Sequence, residues 1–458
     1  MNTSLWRGWK RRSRSIATRS TTGRDKMMKD LAQELPGALE TVRAIADGRL
    51  SAEAATRARL DRCAAREPGI GAWVEIDAEG AIAAARALDA GPIRGPLHGV
   101  ALGVKDIFAV RDLPWRSGSP IWRGRVAEFD APSVALARGA GAVILGKTET
   151  TEFAGYQPCR TRNPVVPGAT PGGSSSGSAA AVAAGMAPLA LGTQTSGSII
   201  RPASYCGVVG YKPSFDLVDP SGVSVFARSF DTVGVFARSV PDAALAIEAL
   251  SGLRLQPGST GARPTVSVLR GPTWGKASAE LQRVWAGFEA RLRYCAPSPF
   301  DSDIRAEMAE IPALHARIMA VEASEALAYE LATAEEFLSE GLRAQIAEGR
   351  AQSSEERLAD RAAMIAFRQR MMARTAPGDI WLTPATTGGA PPFETGTGDP
   401  AFNRLWSLLG FPCCTVPILE DEAGRPIGVQ VVGRLGDDAA VLEVAHSLML
   451  RAQESVLL

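Results

Sequence analysis

Apolar positions recur at helical spacing over residues 37–48 and 51–66, and Ser51 stands where an N-cap belongs. The short apolar run "AWVEI" then reads as a strand, and an Ala-rich helix runs from Asp77 to Gly91. From there strand and helix patterns alternate. "GVALGV" (99–104) is a strand, Ser133 caps the helix "VALARGAG", and "AVILG" (142–146) is a buried strand. "AAAVAAG" reads as a helix, "LALGTQT" as a strand and "VGVFA" (233–237) as another. Residues 276–375 carry an Ala/Glu/Arg periodicity that predicts helices, and "DIWLTPA" and "GVQVVG" supply late strands that return to the sheet. Apolar strands alternating with helices predict an α/β fold whose sheet is covered on both faces.

The 458 residues are 46% hydrophobic, enough for a substantial core. The net charge of +1 is unevenly spread. Residues 1–26 hold eight Lys/Arg against the single acid Asp25, so the remainder is near −6. We read 1–29 as a basic, disordered extension and 30–458 as one domain. With no basic stripe through the body, neither nucleic acid nor an anionic membrane is expected as a partner. Six cysteines, far apart except for the vicinal pair Cys413-Cys414 and without C-x-x-C, fit reduced thiols in the cytoplasm. The run Ala179 to Leu191 is too short for a membrane span and is broken by Pro188.

Three histidines leave little choice of general base. His315 and His446 lie in helical patterns and read as packed or surface residues; His98 lies in the loop "GPLHGV". Metal-ligand spacing is missing, so no metal is expected. The string Gly173-Ser174-Ser175-Ser176-Gly177 matches G-x-S-x-G, which would make Ser175 a nucleophile with His446 as base. The preceding "NPVVPGATP" has three prolines in nine residues and cannot be the central strand such an elbow needs. A Walker A loop fails too, because Ser178 stands where its lysine belongs. A second small-residue cluster, Thr195-Ser196-Gly197-Ser198, follows a buried strand directly. Successive N–H groups there can face one cavity and stabilise a developing oxyanion. A serine at its end is a candidate nucleophile. Lys105 follows the strand "GVALGV", and burial would release a neutral amine to act as base; an ordinary lysine with a solvated head fits the spacing equally well.

The segments "GVKDIF" (103–108), "GKTETTEFA" (146–154), "PGGSSSGSAAAVAAG" (171–185), "LGTQTSGSIIRPASYCGVVGYKPS" (191–214) and "FDTVGVFARSVPDAA" (230–244), with "LGFPCCTVPI" and "PIGVQVVG", together resemble the amidase signature family. The resemblance runs from about residue 30 to the C-terminus. It implies one α/β domain with a mixed, twisted sheet of about eleven strands between helices, and amide hydrolysis by a Ser–cis-Ser–Lys triad without a cofactor. By position, Lys105 matches the lysine base, Ser174 the bridging serine on a cis peptide bond, and Ser198 the nucleophile. The N–H groups of Thr195, Ser196, Gly197 and Ser198 match the oxyanion hole.

The chain departs from the family pattern in places. Gln194 stands where many relatives have aspartate, Ser196 replaces a glycine, and Ile200 precedes Arg201 where arginine is usual. "FNRLWSLLGFPCC" lacks the aspartate by which the glutaminase components of tRNA-dependent amidotransferases hold glutamine, as the family pattern implies. The expectation is therefore a free-standing amidase acting on a small-molecule amide, with Tyr156 and Trp406 near the pocket. Dimers are common among such relatives, so a homodimer is compatible with the resemblance. The alternative is the glutaminase component, or A subunit, of a tRNA-dependent amidotransferase; an inactive binding module of the same fold is the third class.

Overall fold

In a computed structural model of the chain, residues 35–258, 264–292, 300 and 302–454 are described. The basic extension assigned to 1–29 lies outside them, as does Cys295. Ten strands form one mixed sheet, close to the expected eleven: β1 Trp73–Ile76, β2 Ala101–Lys105, β3 Val143–Thr148, β4 Leu189–Gln194, β5 Val209–Lys212, β6 Thr232–Ala237, β7 Thr265–Val268, β8 Asp379–Pro384, β9 Cys413–Glu420 and β10 Pro426–Gly433. Their order is β1-β3-β2-β4-β6-β5-β9-β10-β8-β7. The chain's catalytic candidates ride on a stretch where neighbours are parallel, β3-β2-β4; the β7-β8 pair at the far edge is parallel too. Parallel pairing brings the C-terminal ends of β2 and β4 to the same edge, so Lys105 and the loop after Gln194 come out side by side.

Helices cover both faces. Asp438–Glu454 packs on β9 and β10, Val240–Ser251 on β6, and Ala78–Asp89 on β3. Two large apolar clusters result, one around Leu102, Val104, Leu191 and Val235, the other joining Phe230, Met319, Trp381 and Trp406 to the helical segment after residue 300.

Two details differ from the sequence reading. Pro132, not Ser133, opens the helix Pro132–Gly139, because its fixed φ and missing N–H suit the first turn; Ser133 is already inside it and buried. The Gly/Ser run is itself the start of a helix, Ser176–Ala183, rather than a lead-in to one. Here the backbone is sewn to the sheet. Gly177 N–H donates to Glu149 O at 3.0 Å, Ser178 Oγ donates to Leu191 O at 2.9 Å, and Ser176 Oγ donates to Gly172 O at 2.7 Å. Close approach needs small residues on both sides, and Gly103, Ala179, Ala190 and Gly192 supply them.

A Cβ on Gly177 would overlap Ala72 O and Glu149 N, both backbone atoms that cannot swing aside. Gly177→Ala is therefore expected to destabilise the fold by about 1–3 kcal/mol, the usual cost of overpacking, read as a lowered midpoint in chemical denaturation. An unchanged midpoint would show that helix and sheet are not pressed together here.

Candidate active site

Three lysines, Lys105, Lys147 and Lys212, are completely buried among the described residues. Their partners separate them. Lys147 Nζ lies 3.0 Å from Asp106 Oδ1 and donates to Phe108 O (2.7 Å) and Pro114 O (2.5 Å), acceptors that hold every proton it carries. Lys212 Nζ donates to Pro213 O at 2.8 Å. Lys105 Nζ instead meets two hydroxyls, Ser174 Oγ at 2.8 Å and Thr193 Oγ1 at 2.9 Å. A hydroxyl can turn and donate, so this amine alone among the three can take a proton from its partner. Loss of hydration lowers the Lys105 pKa to about 7, against the upward pull of Asp231 and Cys159.

Ser174 follows a cis peptide bond to Gly173, and both of that bond's flanking carbonyls are held. Arg201 Nη2 donates to Gly173 O at 2.7 Å and Thr151 N–H donates to Ser174 O at 3.2 Å. Thr151 begins a tight turn in which Phe153 (φ 46°) and Ala154 (φ 61°) occupy the left-handed region, an arrangement that non-glycine residues seldom adopt away from functional sites. Exposure rises along the row of candidates, from 0% at Lys105 to 1% at Ser174 and 7% at Ser198. The solvent-facing end is thus the serine expected to attack. The link Lys105–Ser174 is closed; among the described residues no hydrogen bond joins Ser174 to Ser198. Such contacts commonly tighten only when substrate is bound.

The loop 195–198 is strapped from outside. Gln194 Oε1 accepts from Ile199 N–H and Ile200 N–H, both at 3.0 Å, and Gln194 Nε2 donates to Ser407 Oγ at 3.1 Å. Ser407 Oγ donates to Ser196 O at 2.7 Å, and Arg201 N–H donates to Gly197 O at 2.9 Å. Thr195 Oγ1 donates to Asp231 Oδ1 at 2.5 Å, while Asp231 Oδ2 accepts from Phe226 N–H and Ala227 N–H. None of the N–H groups of Ser196, Gly197 and Ser198 donates to another backbone group among the described residues. They remain free for an oxyanion.

Of the remaining expectations, Tyr156 is 37% exposed at the rim, its hydroxyl 3.4 Å from both Ser196 Oγ and Arg404 Nη2. Trp406 is corrected from pocket to core: it is 1% exposed and stacks on Trp381, because the inner face of the helix Arg404–Leu409 packs against apolar residues. Ser175 is buried and donates to Thr193 O, and His446 sits on the helix Asp438–Glu454; no hydrogen bond joins the two among the described residues. Sequence reasoning missed Thr193, Asp231 and the strapping role of Gln194. The motif "FDT" was the available signal for Asp231. Among the described residues no group of three or more His, Cys, Asp or Glu could hold a metal ion, and no helix is long and apolar enough to cross a membrane.

A family model described as Amidase matches residues 54–442. The chain is 33% identical over 473 aligned positions to the A subunit of a glutamyl-tRNA(Gln) amidotransferase from Anaeromyxobacter sp. (strain K), covering 90% of this chain and 95% of that one. It is 47% identical over 227 residues to the same-named protein of Acidothermus cellulolyticus, a match spanning 47% of this chain and 45% of the relative. A solved structure described as a crystal structure of amidase superposes with a TM-score of 0.81 at 32% identity, covering 91% of this chain and all of that one. These relatives overturn the expectation of a lone small-molecule substrate with nucleic acid excluded, since their names denote one part of an assembly and a tRNA. The charge argument failed because net charge describes one chain only, and in an assembly another chain can carry the nucleic acid.

Removing one member of the buried Lys147–Asp106 pair strands the other. Lys147→Met is expected to cost about 3–5 kcal/mol of folding stability, measured by chemical denaturation. A loss under about 1 kcal/mol would mean that the pair does not brace the end of β2.

Proposed function

The chain belongs to the amidase signature family, a family of amide-hydrolysing enzymes, and from that premise we propose that it cleaves a carboxamide C–N bond through an acyl-enzyme on Ser198. Neutral Lys105 takes a proton from Ser174, which takes one from Ser198 as the Ser198 oxygen bonds to the amide carbon. The carbonyl electrons move onto oxygen, where the N–H groups of the 195–198 loop receive them. Collapse of this adduct breaks the C–N bond, and the proton returns through Ser174 to the leaving nitrogen. Water then attacks the ester by the same route, freeing a carboxylate and restoring Ser198. The observation that carries the reading is the sealed 2.8 Å contact between Lys105 Nζ and Ser174 Oγ at the edge where the loop bearing Ser198 emerges.

For its setting, the relatives matched over nearly their whole length favour a role as the glutaminase component of an amidotransferase, in which glutamine supplies the amide and its nitrogen passes to a partner chain that works on a charged tRNA. A second reading, a free-standing amidase, is favoured by the absence of aspartate from "FNRLWSLLGFPCC" and by likeness to the solved amidase. A cytoplasmic location suits either, and the five described cysteines are all free. The sheet draws on residues 73–433, which supports treating 30–458 as one catalytic domain. Tagged protein purified from its own host separates the two settings. The amidotransferase reading expects co-purifying chains and ammonia release from L-glutamine that rises when they and charged tRNA are added. Steady turnover of propionamide or benzamide by the isolated chain, with no such stimulation, would favour the amidase.

Ser198→Ala is expected to lower kcat by about 10⁴-fold or more, measured as ammonia release. Turnover within tenfold of the parent would remove Ser198 as nucleophile. Because the base acts when deprotonated and burial holds Lys105 near pKa 7, kcat/KM is expected to rise with pH through about 7 and then level off. A profile that falls over the same interval would contradict a lysine base.

A further inference from the structure

His315, which the mechanism above does not use, is fully buried on the helix Ser302–Ala326, 120 residues along the chain from the loop it touches. Its Nε2 lies 3.0 Å from Thr195 O. A carbonyl oxygen only accepts, so the imidazole proton must sit on Nε2, and Nδ1 is a bare acceptor. Nδ1 indeed has no hydrogen-bond partner among the described residues. The ring is clamped flat on Phe230, with centroids 4.2 Å apart and planes 19° apart, which fixes its direction. One turn further on, Met319 Sδ accepts from Ser196 Oγ at 3.4 Å, so one helix face meets two successive loop residues.

A trans peptide is planar, and its C=O and the following N–H point in opposite directions. The bond after Thr195 is trans, since Gly173–Ser174 is the cis bond of the described chain. Holding Thr195 O against the helix therefore turns the Ser196 N–H the other way. Ser407 does the same for Gly197 N–H by holding Ser196 O, and Arg201 N–H does it for Ser198 N–H by holding Gly197 O. Three carbonyls are pinned outward. Three N–H groups are thereby turned inward.

We propose that His315 is a positioning residue of the oxyanion hole, whose Nε2–H, by holding Thr195 O, aims the Ser196 N–H at the oxygen that becomes negative when Ser198 attacks. The inference rests on Ser198 being the nucleophile. His315 acts as a fixed neutral donor and not as a base. Burial first, and then the nearby Arg404 and Arg368 guanidinium groups, press its pKa down to about 3 despite the bond to Thr195 O, so it stays uncharged while Lys105 titrates.

A fluorophosphonate probe tests this without knowledge of the natural amide. Ser198 Oγ bonds to phosphorus, fluoride leaves, the Ser198 proton passes through Ser174 to Lys105, and the phosphoryl oxygen occupies the hole. The rate of adduct formation at Ser198 is followed by intact-protein and peptide mass spectrometry, alongside Tm. His315→Phe keeps a flat ring on Phe230 but removes the donor; labelling is expected to slow about tenfold or more, with Tm within a few degrees of the parent. His315→Gln places an amide Nε2–H near the original donor and is expected to restore the rate to within about threefold. The labelling rate of both variants keeps its rise through pH 7. His315→Phe labelling at the parental rate would overturn the proposal, as would a slowing that Gln does not rescue, or a shift of the pH midpoint, which would place His315 in the proton relay. Ser198→Ala in the same assay separates the two levels. If it still takes up the probe at this site, the premise is wrong; if it takes up none while His315→Phe is unaffected, only the positioning role is lost.

Discussion

The site depends on keeping an amine uncharged inside the protein. An ammonium buried with no carboxylate in contact loses its hydration and gains little in return, and among the described residues Lys105 Nζ has only two hydroxyls as hydrogen-bond partners. The same burial that would be a liability elsewhere would make the proposed base available near neutrality. Asp231 is the half-buried carboxylate whose field reaches Lys105, and it is kept off Nζ by its own engagements with Thr195 Oγ1 and two backbone N–H groups. Lys147 shows the contrary arrangement one strand away. There a carboxylate and two carbonyls surround the amine, and nothing in contact can hand it a proton.

Everything near Lys105 serves close approach. The parallel pairing of β2 with β4 puts the amine and the 195–198 loop at one sheet edge, and the helix Ser176–Ala183 presses its first turn onto β3 and β4 through Gly177 and Ser178. Carbonyls of the loop are then held on the far side by groups from three parts of the chain: Arg201 N–H locally, Ser407 from a late helix, and His315 from the helical segment after residue 300. In that sense the proposed oxyanion hole would follow from where the carbonyls are tied. The proposed charge-stabilising groups are backbone N–H groups with no side-chain identity of their own, so Ser196 in place of glycine is compatible with the proposal.

Much of this was legible in the sequence, for physical reasons that can be named. Apolar strands followed at once by Lys105 and by Thr195-Ser196-Gly197-Ser198 fixed which residues emerge at a strand end, and the glycines and serines at 172–178 carried the family resemblance that placed Ser174 on a cis peptide bond. The strand β9 was hidden because Pro417 interrupts "CCTVPILE", and β5 because "VGYK" is only four residues long. Thr193, Asp231 and His315 were not legible as site residues. Each acts through a partner in another element, and helical periodicity around His315 reports only that one face is apolar, not that its ring meets a carbonyl of the loop. Trp406 misled for the related reason that an aromatic in a late motif looks the same whether it faces ligand or core.

Family membership and geometry agree on amide chemistry, while the relatives' names shift the expected setting from a solitary hydrolase towards one working part of an assembly. The central claim concerns one proton on one nitrogen. Observing the Lys105 Nζ resonance by NMR in protein carrying ¹⁵N-labelled lysine, across pH 5 to 11, tests it most directly. The account predicts a titration midpoint close to 7, and a midpoint near the ordinary lysine value of 10.5 would contradict it.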